Sequence, residues 1–268
     1  MWVHRSGEFY RERPIVIYEY QKGRDHQKPL SFYKDYKGIL VTDGLQQYHL
    51  VDKKLPRVTN ANCWAHAGRD FADAVKAMDK NDPSAVRNSV AYVALQKIGE
   101  FYNADTELKG LSPEERLQKR QETIQRLVED FFAWVKEQIS QCTVPPKSKT
   151  GQGLQYLIHQ ETYLKVFLTD GDVPIDNSAS ERSIRTFCIG KKNWMFHNTA
   201  NGASASAMVY SISETAKLND LRPYYYFRYI LTELPKRSDE NGNIDPSKLD
   251  DLMPWSSALP DECRKLRC

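Results

Sequence analysis

The sequence predicts a mixed α/β chain with a large α-helical insertion, and three observations carry that prediction. Short runs rich in β-branched, aromatic or aliphatic residues fall at 1–5, 14–20, 38–43 and 58–64, each followed by turn-forming or polar types. From residue 82 to about 168 the apolar residues recur with the helical period instead. Helical patterns then resume beyond a short polar stretch starting at Pro174. The chain accordingly divides into residues 1–81 (the first part of an α/β domain), 82–170 (the helical insertion), 171–235 (the remaining helices of that domain) and a polar carboxyl-terminal tail, 236–268.

Taken in order, residues 1–5 and 14–20 read as a hairpin across a polar, glycine-containing turn. Residues 29–36 fit a short helix. Residues 38–42 form a short apolar strand that delivers Asp43 at its carboxyl end, just before Gly44. Ligands and metals in open α/β sheets sit at such strand ends, although an aspartate before a glycine is also an ordinary turn start. Residues 58–64 read as a further strand, followed by a helix over 65–78 with Phe71, Val75 and Met78 inward. Cys63 and His66 have half of a zinc-finger spacing, but no second Cys/His pair follows at a suitable distance.

In the insertion, Ser112, Pro113 and Glu115 combine a cap, a first-turn proline and a capping-box glutamate. Ile124, Leu127, Val128, Phe131, Val135 and Ile139 follow as one apolar stripe. The charges of Arg116, Lys119, Arg120 and Glu122 largely cancel and read as a solvated face. Pro145 and Pro146 break this helix, and a second runs from about 153 to 168. Further on, Met208, Val209, Ile212 and Ala216 share a helical face. Pro223 opens a helix with Phe227, Ile230, Leu231 and Leu234 inward and Tyr224, Tyr225, Tyr226 and Arg228 partly outward. Residues 236–251 are turn-rich and polar, the composition of a mobile tail.

Composition narrows the function classes. A chain of 268 residues can bury a sizeable core, and 40% hydrophobic with 27% charged residues is the balance of a globular protein. No apolar run reaches about 18 residues, so no membrane span or membrane partner is expected. The amino terminus lacks a signal-peptide core, which points to the cytoplasm, and five scattered cysteines (63, 142, 188, 263 and 268) suit reduced thiols. A formal net charge of only +3 means that nucleic-acid binding has to be argued from local clusters.

The strongest cluster lies between residues 174 and 194. Asp176 or Asn177 can cap a helix, Glu181 falls in its first turns, and Arg185 lies four residues on, on the same face. Gly190 is expected to end that helix ahead of Lys191 and Lys192. With Arg182 included, four cations stand against one carboxylate between 181 and 194, the composition of a phosphate-handling site. Ser178 and Glu181 also have capping-box spacing, which is the structural alternative.

Three runs, Ile-Asp-Asn-Ser-Ala-Ser-Glu-Arg-Ser-Ile-Arg (175–185), Gly-Lys-Lys-Asn-Trp (190–194) and Ser-Glu-Thr-Ala-Lys-Leu-Asn (213–219), resemble the carboxyl-terminal part of the insertion-sequence-sixty-six family of bacterial transposases. The likeness extends from Met1 to about Trp255 in order and spacing. It implies a ribonuclease-H-like fold, with Glu181 as the last member and Asp43, in Thr-Asp-Gly, as the second member of an Asp-Asp-Glu triad. These carboxylates would converge and bind magnesium or manganese for DNA cleavage and strand transfer. It also places the Cys-Trp-Ala-His run (63–66) beside the active site; a neutral His66 with Arg69 one turn on could there hold a DNA phosphate or a metal-bound water, with Arg182, Arg185, Lys191 and Lys192 as the main DNA-binding cluster. The alternative for His66 is that it caps its own helix. The implied partners are transposon ends and target DNA, with a second copy or other element-encoded proteins.

The departure lies at the amino terminus, because the family's first triad aspartate stands on a strand that precedes the Met-Trp-Val strand. None of Glu8, Glu12, Glu19, Asp25 or Asp35 sits in a matching motif. The expectation is therefore a catalytic-domain fragment, defective alone, with an incomplete ribonuclease-H-like sheet in which residues 38–43 are not paired on both sides by strands of this chain. A non-enzymatic DNA-binding or interaction remnant is the alternative function.

Overall fold

A computed structural model describes residues 1–23, 27–78 and 81–265, so Asp25 and Cys268 lie outside the described residues. The hairpin forms as expected: β1 (Trp2–Arg5) pairs antiparallel with β2 (Val16–Glu19), with Val3 opposite Tyr18. Then come α1 (Gln27–Tyr33), β3 (Gly38–Thr42), α2 (Gln46–Lys54) and β4 (Val58–Asn62). Strand β3 pairs parallel with β4, with Thr42 opposite Asn62. Helix α2 is the crossover that a parallel pair requires. Its mixed, largely polar sequence carries little apolar periodicity, and the sequence reading passes over it.

The helix expected over 65–78 starts one residue earlier and breaks at Gly68, giving α3 (Trp64–Ala67) and α4 (Arg69–Lys76). The insertion supplies α5 (Pro83–Asn88), α6 (Val90–Glu107), α7 (Pro113–Lys119), a π-helical turn at Arg120–Ile124, α8 (Gln125–Ser140) and α9 (Lys149–Leu164). The Ser112–Glu115 capping box is present in both directions. Helix α9 begins four residues before the expected start because the Ser148 hydroxyl accepts from the Gly151 amide and caps it. The chain ends with α10 (Ser178–Trp194), α11 (Ala200–Leu218), α12 (Pro223–Glu233) and short 3-10 turns.

Two compact units result, one of residues 1–23 and 179–268, the other of residues 24–178. The described residues hold two separate two-stranded sheets, one in each unit, and β3 has β4 on one side with no strand on the other.

The unit of residues 24–178 is built around Trp64, which is fully buried against Phe101 (4.6 Å between ring centroids), Phe131 and Phe132, with its indole N–H donating to the Leu164 carbonyl at 2.8 Å. The apolar stripe of α8 faces this core as its period requires.

Two arginines expected on a solvated face are buried instead. Arg120, 0% exposed, forms a two-bond fork with Asp105 (2.7 and 3.2 Å) and donates to the carbonyls of Phe167, Asp170 and Val173. Arg116 donates to the carbonyls of Leu108, Lys109, Leu111 and Gly171. A guanidinium has five rigid donors, and these loops present carbonyls with no helix or strand to satisfy them.

In the unit of residues 1–23 and 179–268, α11 carries Ala203, Ala207, Ser211 and Thr215 four residues apart, and the last three of these meet the hairpin. The small side chains let the helix approach closely. Its hydroxyls then serve the β2 backbone: Ser211 accepts from the Tyr18 amide (2.8 Å), and Thr215 bonds both the amide and the carbonyl of Val16. A strand edge is thereby closed by side chains rather than by a third strand. Met208 and Val209, grouped with Ala216 by period, are exposed because the small-residue stripe takes the inner face; Leu231 on α12 is likewise exposed.

The tail is packed. Leu252, Leu259 and Cys263 are buried against α12, the Tyr226 hydroxyl donates to the Leu252 carbonyl at 2.8 Å, and Arg237 pairs with Asp251. No helix among the described residues is long and apolar enough to cross a membrane.

Candidate nucleic-acid and metal site

The end of β3 is held by a chain of buried amides and a hydroxyl. Thr42 donates to Asn60 (3.0 Å), Asn60 to Asn62 (2.8 Å), and Asn62 to Gln160 of α9 (2.9 Å), with His49 of α2 3.5 Å from the Asn62 amide nitrogen. Asn60 and Asn62 alternate with buried Ala61, so one face of β4 enters the core and the other carries this network. Two asparagines at period two within a strand were the signal available in the sequence.

Asp43 follows on this support, half-buried. Its Oδ1 accepts from the Leu45 amide at 3.1 Å, the turn geometry that an Asp-Gly pair favours, and among the described residues Oδ2 has no hydrogen-bond partner. Gly44 has φ +81°, and a Cβ there would stand 2.4 Å from the Tyr156 hydroxyl. Glycine is required on both counts. The Tyr156 hydroxyl is buried without a hydrogen-bond partner among the described residues; burial pushes its pKa up to about 12, with the charges of Cys63 and Asp43 adding to the rise and Arg69 opposing it. Tyr156 is a neighbour of the Asp43 turn that no sequence pattern indicated.

Cys63 and His66 have no third ligand grouped with them among the described residues. Burial raises the Cys63 thiol to about 11, against the opposing pull of nearby amides, which keeps it protonated. Among the described residues no group of three His, Cys, Asp or Glu side chains is placed to hold a metal ion. His66 is half-buried on α3, and Arg69 is exposed at the start of α4. The four described cysteines are free thiols.

The segment leading into α10 is tied to the same unit. The Ile175 carbonyl accepts from the Trp64 amide (3.2 Å), and Asp176 accepts from the Tyr102 hydroxyl (3.1 Å) and the Ser178 amide (2.8 Å).

On α10 itself Ala179, Ser183 and Phe187 face inward, while Glu181, Arg182, Arg185, Lys191 and Lys192 are exposed. Arg182 pairs with Glu8 at 2.7 Å. Arg5, which the sequence did not single out, donates to the Ala179 carbonyl at 2.9 Å. Gly190 does not end α10, which continues to Trp194. A Cβ at Gly190 would stand 2.2 Å from the Tyr210 hydroxyl, so this glycine admits close packing of α11. The helix stops at Met195, with φ +63°. Asp43 lies in the unit of residues 24–178 and Glu181 in the other.

Comparison with known proteins follows the same residues. The family model described as transposase IS66 family matches residues 1–205, and that of the IS66 C-terminal element matches residues 211–255. Two uncharacterised proteins of Sinorhizobium fredii (strain NBRC 101917 / NGR234) are similar along most of the chain. The one designated y4hP is 28% identical over 90% of this chain and 44% of its own length. The one designated y4qI is 27% identical over 91% and 43%. The chain thus spans under half the length of these relatives. No solved structure matches.

Proposed function

The chain belongs to the IS66 family of transposases, and from that premise we propose that it handles DNA phosphates for phosphoryl transfer, with Asp43 and Glu181 as acidic site residues and a ribonuclease-H-like domain as the scaffold. The observation that carries this reading is the Asp43 turn: a carboxylate at the end of a parallel strand, with one oxygen fixed by an amide and the other without a hydrogen bond among the described residues.

That oxygen suits a hard cation. Magnesium is commonly held by one or two carboxylates plus waters and substrate phosphates, so Asp43 and Glu181 are residues of the right type to hold magnesium or manganese beside bound DNA. Such an ion, when bound, polarises a phosphoryl oxygen and activates the attacking oxygen. Arg182, Arg185, Lys191 and Lys192 would neutralise backbone phosphates, and His66 and Arg69 would contact DNA beside Asp43. The Thr42–Asn60–Asn62–Gln160 chain would keep the Asp43 turn rigid.

The test is nicking of supercoiled plasmid with magnesium present. Loss of nicking in Asp43→Asn and Glu181→Gln supports the reading. Salt-sensitive DNA binding without nicking, unchanged by both substitutions, supports instead the non-enzymatic DNA-binding reading, which rests on the exposed cations of α10 alone.

A further inference from the structure

From Arg182 to Ser213 the chain has four Lys or Arg residues and no Asp or Glu. Midway along this acid-free stretch α10 stops in an unusual way. Met195 takes a left-handed conformation (φ +63°), its amide donating to the Lys191 carbonyl and the Phe196 amide to the Trp194 carbonyl, both at 2.7 Å. Glycine or asparagine is the usual residue at such a stop, because in the left-handed region a Cβ crowds the following carbonyl oxygen. The strained turn displays the two residues that follow Trp194: Met195 is 65% exposed and Phe196 71%.

Beneath them the structure is well packed. Trp194 lies 4.3 Å from the His197 ring and 5.2 Å from Phe187, which in turn meets Tyr210 at 5.3 Å. Trp194 and His197 are therefore drawn inward on either side of the outward pair. Lys191 and Lys192, just before the turn, are exposed and make no ion pair among the described residues.

We propose that residues 191–196 form a DNA-strand contact in which Lys191 and Lys192 hold backbone phosphates and Phe196, flanked by Met195, stacks on an unpaired or unstacked base. Charge complementarity selects this occupant. A protein interface core is depleted of lysine, whereas an anionic polymer with π-faced bases matches both the lysines and the exposed ring. This inference rests on the DNA reading above but adds a contact that needs neither Asp43 nor Glu181.

The experiment uses the full chain with two labelled DNA duplexes, one fully paired and one carrying a single unpaired 2-aminopurine, in anisotropy and 2-aminopurine fluorescence titrations over a range of salt. Phe196→Ala should weaken binding to the unpaired-base duplex by about 5- to 100-fold, leave the salt slope unchanged and abolish stacking of the 2-aminopurine, while Phe196→Trp retains both. Lys191→Ala with Lys192→Ala should instead flatten the salt slope. Equal affinity and equal 2-aminopurine signal for wild type and Phe196→Ala would overturn the proposal while leaving the DNA reading intact. So would a wild-type dimer, seen by light scattering, that Phe196→Ala dissociates without changing DNA affinity. Absence of any DNA binding by the wild type would overturn both.

Discussion

The Thr215 hydroxyl stands 3.0 Å from both the amide nitrogen and the carbonyl oxygen of Val16, closing the outer edge of β2 from a helix 199 residues further along the chain. Both residues are buried, so water cannot replace these bonds. Thr215→Val keeps the shape and deletes the hydroxyl, leaving a buried donor and acceptor unmet. A loss of about 1–3 kcal/mol per orphaned group is expected, measured by urea unfolding, and Thr215→Ser should recover most of it.

Arg120 and Asp105 form the most deeply buried ion pair among those described. Arg120→Met fills similar volume but strands the Asp105 carboxylate and three loop carbonyls. Destabilisation of about 3–5 kcal/mol is expected. Because a matched apolar pair can be neutral, Arg120→Met combined with Asp105→Leu should cost less than Arg120→Met alone. A double substitution at least as destabilising would show that the carbonyl bonds dominate.

His4 gives the hairpin an acid sensitivity. Burial lowers its pKa below the ordinary 6.5, against the raising effect of Glu19, whose carboxylate lies 3.6 Å away. The unfolded chain therefore takes up a proton before the folded one does. Stability is full above about pH 6.5 and falls as the pH drops through that value toward the folded-state pKa. His4→Gln should flatten the stability profile in that window; an unchanged slope would remove His4 as its cause.

If Asp43 and Glu181 share an ion, either Asp43→Asn or Glu181→Gln should weaken manganese binding, followed as free manganese by electron paramagnetic resonance. Carboxylates serving a metal pair about 3.5–4 Å apart have to converge on it. Unaltered binding in Glu181→Gln would separate the two residues.

For the exposed cations, neutralising Arg185, Lys191 and Lys192 together should lower the salt slope of DNA binding by about 0.9 for each duplex phosphate that is no longer neutralised. Arg182 should contribute less, because Glu8 already compensates it. An unchanged slope would place the DNA-binding surface elsewhere.

Features that depend on neighbours within a few residues were legible in the sequence: the hairpin, the β3 strand delivering Asp43, the Ser112–Glu115 box and the apolar stripe of α8. Each follows from a two- or 3.6-residue period or from a cap three residues away. The motifs that carry the family resemblance were legible too, and the family comparisons agree with them.

Only the tertiary structure decided where distant partners met. Arg120 reads as a surface charge until Asp105 and three carbonyls some 47 to 53 residues on surround it. Gly190 reads as a helix stop, yet the approach of Tyr210 makes it a packing position. Thr215 and Asn219, in a run that signalled the family, proved to bond the backbone at Val16 and Pro14. Tyr156 was one aromatic among fifteen tyrosines until the left-handed turn at Gly44 came against its hydroxyl. A charge, a glycine or a hydroxyl has no period of its own, so its role is set by whichever groups the fold brings within bonding distance.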